Sequence, residues 1–113
     1  MSLPDRVTIE HIESLIASEY YFTASEGVLG ASAMGTKPAG RGEPLDRFTI
    51  CVLVLRNGCI IQGANACVRR DIWSAEKGKE MARADAVRQI WEKEGYLLHQ
   101  RIYEERVARE TLA

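Results

Sequence analysis

The stretch that decides the fold runs FTICVLVL from Phe48 to Leu55, then Arg56-Asn57-Gly58, then CIIQGANACV from Cys59 to Val68. The first run is β-branched and aromatic, and such residues fit a pleated, half-buried surface. Asn-Gly between two apolar runs is the strongest short-range hairpin signal, because a type I′ turn needs two positive φ angles. A two-residue loop would fix the register. It predicts Arg56 facing Cys59, Leu55 facing Ile60, Val52 facing Gly63, Cys51 facing Ala64 and Phe48 facing Cys67. No two of the three cysteines, Cys51, Cys59 and Cys67, face each other in that ladder, so no disulfide is expected. They fit no zinc spacing and read as small core residues of a chain in a reducing compartment. Both faces of the hairpin carry apolar residues near the turn, so something should cover each face in part.

Working C-terminally, Ser74 is an N-cap and Glu76 suits a first helical turn. Ala75, Gly78, Ala82, Ala86 and Ile90 recur at helical steps. A stripe this small lets a helix backbone lie close to a sheet. Val87 and Trp91 form a second apolar patch beside it. Arg83 and Asp85 flank the stripe on opposite sides and are expected to hydrogen-bond neighbouring loops or strands. Gly95 is read as a helix break, with a further short helix from about Tyr96 to Arg109.

N-terminally, Thr8 reads as the cap of a helix over about residues 8 to 18, with Val7 and Ile12 as a hydrophobic staple. Residues 19–23 read as a short strand. Residues 24–46 hold five glycines and two prolines and read as a long loop. Gly30 and Gly35-Thr36-Lys37 resemble a phosphate loop only superficially, since the order is wrong and Pro38 denies the following helix. The expected architecture is a single α+β domain over residues 1–113. It has an N-terminal helix, a small antiparallel sheet centred on a hairpin at about 47–68, a long helix packed on that sheet, and a further short helix.

The 113 residues carry a net charge of −1, with 46% hydrophobic and 27% charged residues. This is ordinary globular composition. No apolar run approaches a membrane span, and residues 1–6 lack the features of a signal peptide. Charge is uneven: residues 1–46 carry three basic and seven acidic groups, residues 47–113 twelve and nine. Arg69, Arg70, Lys77 and Lys79 cluster where the last strand meets the long helix and are the candidate phosphate contacts. The two histidines, His11 and His99, sit beside charged residues and read as solvated. No catalytic, metal or cofactor constellation is expected.

Residues 51–98 resemble a family of small tailed-phage proteins named for gene product forty-nine of phage N-four and gene sixty-six of phage Sf-six. The resemblance is carried by Leu55-Arg56-Asn57-Gly58, Gly63, Ala66-Cys67-Val68, Ala75-Glu76, Gly78, Ala82-Arg83, Asp85-Ala86, Ile90-Trp91 and Glu94-Gly95-Tyr96-Leu97-Leu98. The sequence departs from the family pattern at Arg69-Arg70 and at Trp73-Ser74. The resemblance implies a phage or prophage protein in a bacterial cytoplasm and brings no activity with it. Separately, the order helix, three strands, helix and the segment Lys79-Glu80-Met81-Ala82-Arg83 with Ala86-Val87 are similar to double-stranded-RNA-binding domains, which contact shape and phosphates.

Three function classes follow. The first is a non-catalytic accessory protein that binds a host or phage protein, with a homodimer expected and Val87, Trp91 and Tyr96 as the partner surface. The alternative is a nucleic-acid binder through the four basic residues. Asp71, Glu76 and Glu80 offset that corner, so no binding to duplexes is expected at physiological salt. A small enzyme is third. No membrane association is expected.

Overall fold

The computed structural model describes residues 6–33 and 43–112. Helix α1 spans Ile9–Leu15, strand β1 Ile16–Thr23, helix α2 Ala24–Ala33 and the single-turn α3 Glu43–Asp46. Strands β2 (Phe48–Leu55) and β3 (Ile60–Ala66) follow, and helix α4 runs from Ala75 to Leu112. The strands form one antiparallel sheet in the order β1-β2-β3. The fold is therefore α+β, as expected.

Thr8 caps α1 by accepting a hydrogen bond from the His11 N–H at 3.2 Å. The helix is shorter than its pattern predicts. Ile16 takes extended backbone and pairs with Leu55, so partnering with β2 claims the β-branched and aromatic residues for a strand of eight.

The hairpin forms, but one residue out of the expected register. Val54 faces Ile60, Val52 faces Gln62, Cys51 faces Gly63 and Phe48 faces Ala66. The Gly58 N–H donates to the Leu55 carbonyl and the Leu55 N–H to the Cys59 carbonyl, each at 2.9 Å. Gly58 has φ +89°, whereas no described non-glycine residue has positive φ. The loop is thus three residues, a turn closed by a glycine bulge. Asn57 escapes the left-handed region, and its Oδ1 accepts from the Cys59 N–H at 3.0 Å instead. Cys59 consequently lies exposed at the turn, while Cys51 alone of the three is buried in the core. Reading all three as core residues fails at Cys59 for this reason.

The register places Thr49, Cys51, Leu53 and Leu55 on one face of β2, all buried. Helices α1 and α4 cover that face. Ile12, Leu53, Leu55, Ile61, Ala82, Ala86 and Ile90 complete the core around Cys51. At Gly63 the approach of α4 is close enough that an added Cβ would overlap the Ala82 carbonyl oxygen. The Gly78–Ala82–Ala86–Ile90 stripe is the contact on the helix side, whereas Ala75, expected on the same stripe, lies exposed in the first turn ahead of it. The opposite sheet face carries Tyr20, Phe22, Ile50, Val52, Val54 and Ile60. Gly27 of α2 packs against the Phe22 ring, and Tyr20 and Ile60 stay exposed.

Two expectations are corrected. The long loop at 24–46 contains a ten-residue helix, because Thr23 and Glu26 form a reciprocal capping box. The Glu26 N–H donates to Thr23 Oγ1 at 3.2 Å and the Thr23 N–H to Glu26 Oε1 at 2.8 Å. Gly95 does not break α4, which continues as one helix of 38 residues, about 57 Å long. A helix-interior glycine costs only about 1 kcal/mol, and the pairs Gln100–Glu104, Arg101–Glu105 and Arg106–Glu110 support the segment beyond it.

Candidate interaction surfaces

The charged side chains of α4 near the sheet are engaged in holding the fold. Arg83 donates to both carboxylate oxygens of Glu13 (3.1 and 2.7 Å) and to Glu19 (3.3 and 3.4 Å). One guanidinium thereby ties α1 and β1 to α4. Its hydrogen bonds hold the Glu13 carboxyl below its ordinary range. The Tyr21 hydroxyl, donating at 2.7 Å, and then Arg83 do the same for Glu19. Burial and the Glu19 bond push the Tyr21 phenol up. Burial likewise raises the thiol of Cys51.

On the other side, Asp85 Oδ2 accepts from the Ala64 N–H at 3.0 Å and Gln89 Nε2 donates to the Gln62 carbonyl at 2.6 Å. These two side chains occupy backbone groups on the outer edge of β3, which would otherwise be a template for another strand. Hydrogen bonds from Arg88 and then the Ala64 N–H lower the Asp85 pKa. Arg83 and Asp85 thus do what their flanking positions predict. His11 is not merely solvated: its Nε2 lies 2.6 Å from Glu94 Oε1 and links α1 to α4. His99 is exposed. A cleft of about 440 Å³ opens beside the His11–Glu94 link and is lined also by Val7, Leu97, Leu98, Arg6 and Arg101.

The expected partner surface does not form one patch. Val87 packs against the core, Trp91 is 37% exposed at the edge of the body, and Tyr96 is 68% exposed beyond it. At about 100° per residue, Val87 and Tyr96 point in opposite directions from α4. Tyr96 instead shares a face with Tyr103 and Val107, at i, i+7 and i+11. Reading Gly95 as a break hid this continuity. All residues from Ile102 to Leu112 are exposed, so α4 projects well past the sheet.

The basic corner is also divided. Arg69 is paired with Asp71 at 2.7 Å. Lys77 and Lys79, two residues apart, lie about 200° apart around α4 and cannot face one phosphate strip. What occupies the corner is a groove of about 330 Å³ between the end of β3 and the first turns of α4. The Ser74 hydroxyl caps the helix there, accepting from the Lys77 N–H at 3.1 Å. Of the phosphate-loop-like residues, Gly30 lies inside α2, and Gly35-Thr36-Lys37 lies outside the described residues.

Among the described residues no cluster of three metal-ligating side chains occurs, and no helix is long and apolar enough to cross a membrane. Comparison with curated proteins gives no match, and neither does comparison with solved structures. Comparison with protein families does: residues 7–102 match, from the residue before the α1 cap to the start of α4's fully exposed end. The match takes in α1, the whole sheet and the packed part of α4, and the chain belongs to the phage protein (N4 Gp49/phage Sf6 gene 66) family.

Proposed function

We propose that this phage protein is a non-catalytic, protein-binding accessory module of the host bacterial cytoplasm, and that its first partner is a second copy of itself. The observation that carries the reading is the projection of α4. Only the part up to about Arg101 lies against the sheet or α1, yet Tyr96, Tyr103 and Val107 continue one apolar face along the free part. Apolar side chains at such spacing are the anchors of helix-in-groove and helix-on-helix recognition. Arg83, Asp85, Gln89 and His11, the groups a reaction could have used, are already committed to packing α1, β1 and β3 against α4. Two copies joined through the projecting halves would bury aromatic surface on both, the residue type that dominates interface energetics.

Light scattering on the purified chain at micromolar concentration tests this. The expected mass is twice 12.7 kDa. The Tyr96→Glu, Tyr103→Glu double variant should return the mass to that of one chain with its circular dichroism unchanged, because both side chains are exposed. A wild-type chain that stays monomeric, or a dimer indifferent to the double variant, refutes the assignment of this surface.

A further inference from the structure

The two outer edges of the sheet are treated differently. The Leu55 N–H bonds to the Cys59 carbonyl, so Leu55, Leu53, Cys51 and Thr49 turn their backbone groups toward β3. Val54, Val52 and Ile50 turn theirs toward β1, to Ser18, Tyr20 and Phe22. By the same alternation, Gln62 and Ala64 point their backbone groups out from β3, and Glu19 and Tyr21 point theirs out from β1. On β3, Gln89 takes the Gln62 carbonyl and Asp85 the Ala64 N–H. On β1, Glu26 Oε1 takes the Thr23 N–H. Among the described residues nothing bonds the outward N–H and C=O of Glu19 or Tyr21. An unguarded edge is a template for another strand, and strand addition to such edges is a recurring mode of recognition.

The side chains select the strand that fits. On the outer face β1 presents Ser18, Tyr20 and Phe22, all uncharged, with Tyr20 57% exposed. A strand that continues this face needs uncharged, partly aromatic residues at alternate positions. On the other face it meets Glu19 and Tyr21 and must bring no bare carboxylate to Glu19. The sequence of β1 itself has this pattern. Its one charge, Glu19, is already bound by Arg83 and by the Tyr21 hydroxyl. The irregularity between Ile16 and Ser18 lies ahead of the free groups. Antiparallel pairing about a two-fold axis at Tyr20 sets Glu19 opposite Tyr21 of the second copy, and each such pair exchanges both backbone bonds. An axis at Glu19 would put two carboxylates directly opposite, which is destabilising. An axis at Tyr21 would set Glu19 opposite Thr23, whose N–H is taken.

We propose that the free edge of β1 pairs antiparallel with β1 of a second copy about Tyr20, joining the two sheets into one. Tyr20 faces Tyr20 of the second copy in a non-hydrogen-bonded pair, the arrangement with the closer side chains. Phe22 faces Ser18. The contact is small, so it is weak beside a standard interface. It is separate from the projecting half of α4 and does not rest on that reading. Chains that use both contacts assemble beyond two copies.

Disulfide trapping in the full chain tests the register. Residues opposite each other in a non-hydrogen-bonded pair have Cα atoms about 4.5 Å apart, within reach of a disulfide. Cys59 is exposed, so the variants carry Cys59→Ser. Tyr20→Cys should form a covalent dimer on mild oxidation. Phe22→Cys, which does not face itself, should form at least about fivefold less, and adding Ser18→Cys to it should restore the yield. The Tyr20→Cys yield should survive Tyr96→Glu, Tyr103→Glu, which separates this contact from that of α4. Sedimentation of the Tyr96→Glu, Tyr103→Glu chain at a few hundred micromolar should show a reversible dimer. Tyr20→Lys should weaken that dimer at least about tenfold, since it opposes two like charges. Tyr20 is exposed, so circular dichroism should not change. Amide exchange at Glu19 and Tyr21 should slow as concentration rises. A Tyr20→Cys yield no higher than that of Phe22→Cys overturns the proposal. So does a yield lost with Tyr96→Glu, Tyr103→Glu, or exchange at Glu19 and Tyr21 that ignores concentration.

Discussion

Replacing Gly63 by alanine adds one carbon where the structure has no room for it. The new Cβ would overlap the Ala82 carbonyl oxygen, sit 2.5 Å from the Ala86 nitrogen and 2.8 Å from the Ala86 Cβ. Carbon contacts are comfortable only from about 3.5 Å, so α4 must lift from β3 by about 1 Å. The first two atoms are backbone, and no rotamer change relieves them. Lifting the helix loosens Ala82, Ala86 and Ile90 from Cys51, Leu53 and Ile61. It also stretches the Asp85–Ala64 and Gln89–Gln62 bonds, which measure 3.0 and 2.6 Å. Overpacking alone costs about 1–3 kcal/mol, and each weakened hydrogen bond about 1 kcal/mol. The expected loss is therefore about 4 kcal/mol, a large part of the roughly 6–17 kcal/mol typical of a chain this long. Urea unfolding followed by circular dichroism measures it, with the midpoint falling and the slope unchanged. A loss below about 1 kcal/mol would refute the close packing of α4 on β3.

The same substitution at Gly95 should act in the opposite direction. An added Cβ there meets nothing within 4 Å, so Gly95→Ala should stabilise by about 0.5–1 kcal/mol and raise Tm by roughly 4 °C. A fall in Tm would mean that the helix does break there. The acid limb of stability should depend on Arg83. Glu13 and Glu19 have folded pKa values below their unfolded ones, so their stabilisation is present above the unfolded pKa and is lost as pH falls through the folded pKa. Wild type should lose stability between about pH 5 and pH 3 more steeply than Arg83→Gln, and parallel profiles in thermal melts would exclude the clamp.

What the sequence made legible was whatever local chemistry alone determines. Thr8 and Ser74 as caps, the small-residue stripe of α4 and the flanking roles of Arg83 and Asp85 all follow from spacing, and all appear. The hairpin register did not, because Asn-Gly suits both a two-residue loop and a three-residue loop with a glycine bulge. The choice depends on which face must meet α4, a tertiary matter. With Gly63 opposite Cys51 the glycine lies under the helix, the one arrangement in which its lack of a side chain is used. Helix α2 was readable after all, since Thr23-Ala24-Ser25-Glu26 is a capping box, but its glycines masked it. Gly95 misled in the opposite way: a lone glycine weakens a helix without ending it when flanking residues supply ion pairs.

The partner surface was legible only as a set of apolar residues, not as a geometry. Val87, Trp91 and Tyr96 look like neighbours in sequence, yet an unbroken helix turns Val87 into the core and Tyr96 away from it. That same unbroken helix is what separates the two candidate surfaces. The groove involves α4 residues up to Met81 and the projecting face begins at Tyr96, a separation of about 22 Å at the rise of an α-helix. Between them the helix is held on three sides, by Arg83 to α1 and β1, by Asp85 and Gln89 to β3, and by the stripe packed on the sheet core. A helix so fixed at its centre transmits little bending, so occupancy of one end should not alter affinity at the other beyond what charge at that distance supplies, which salt screens within about 10 Å.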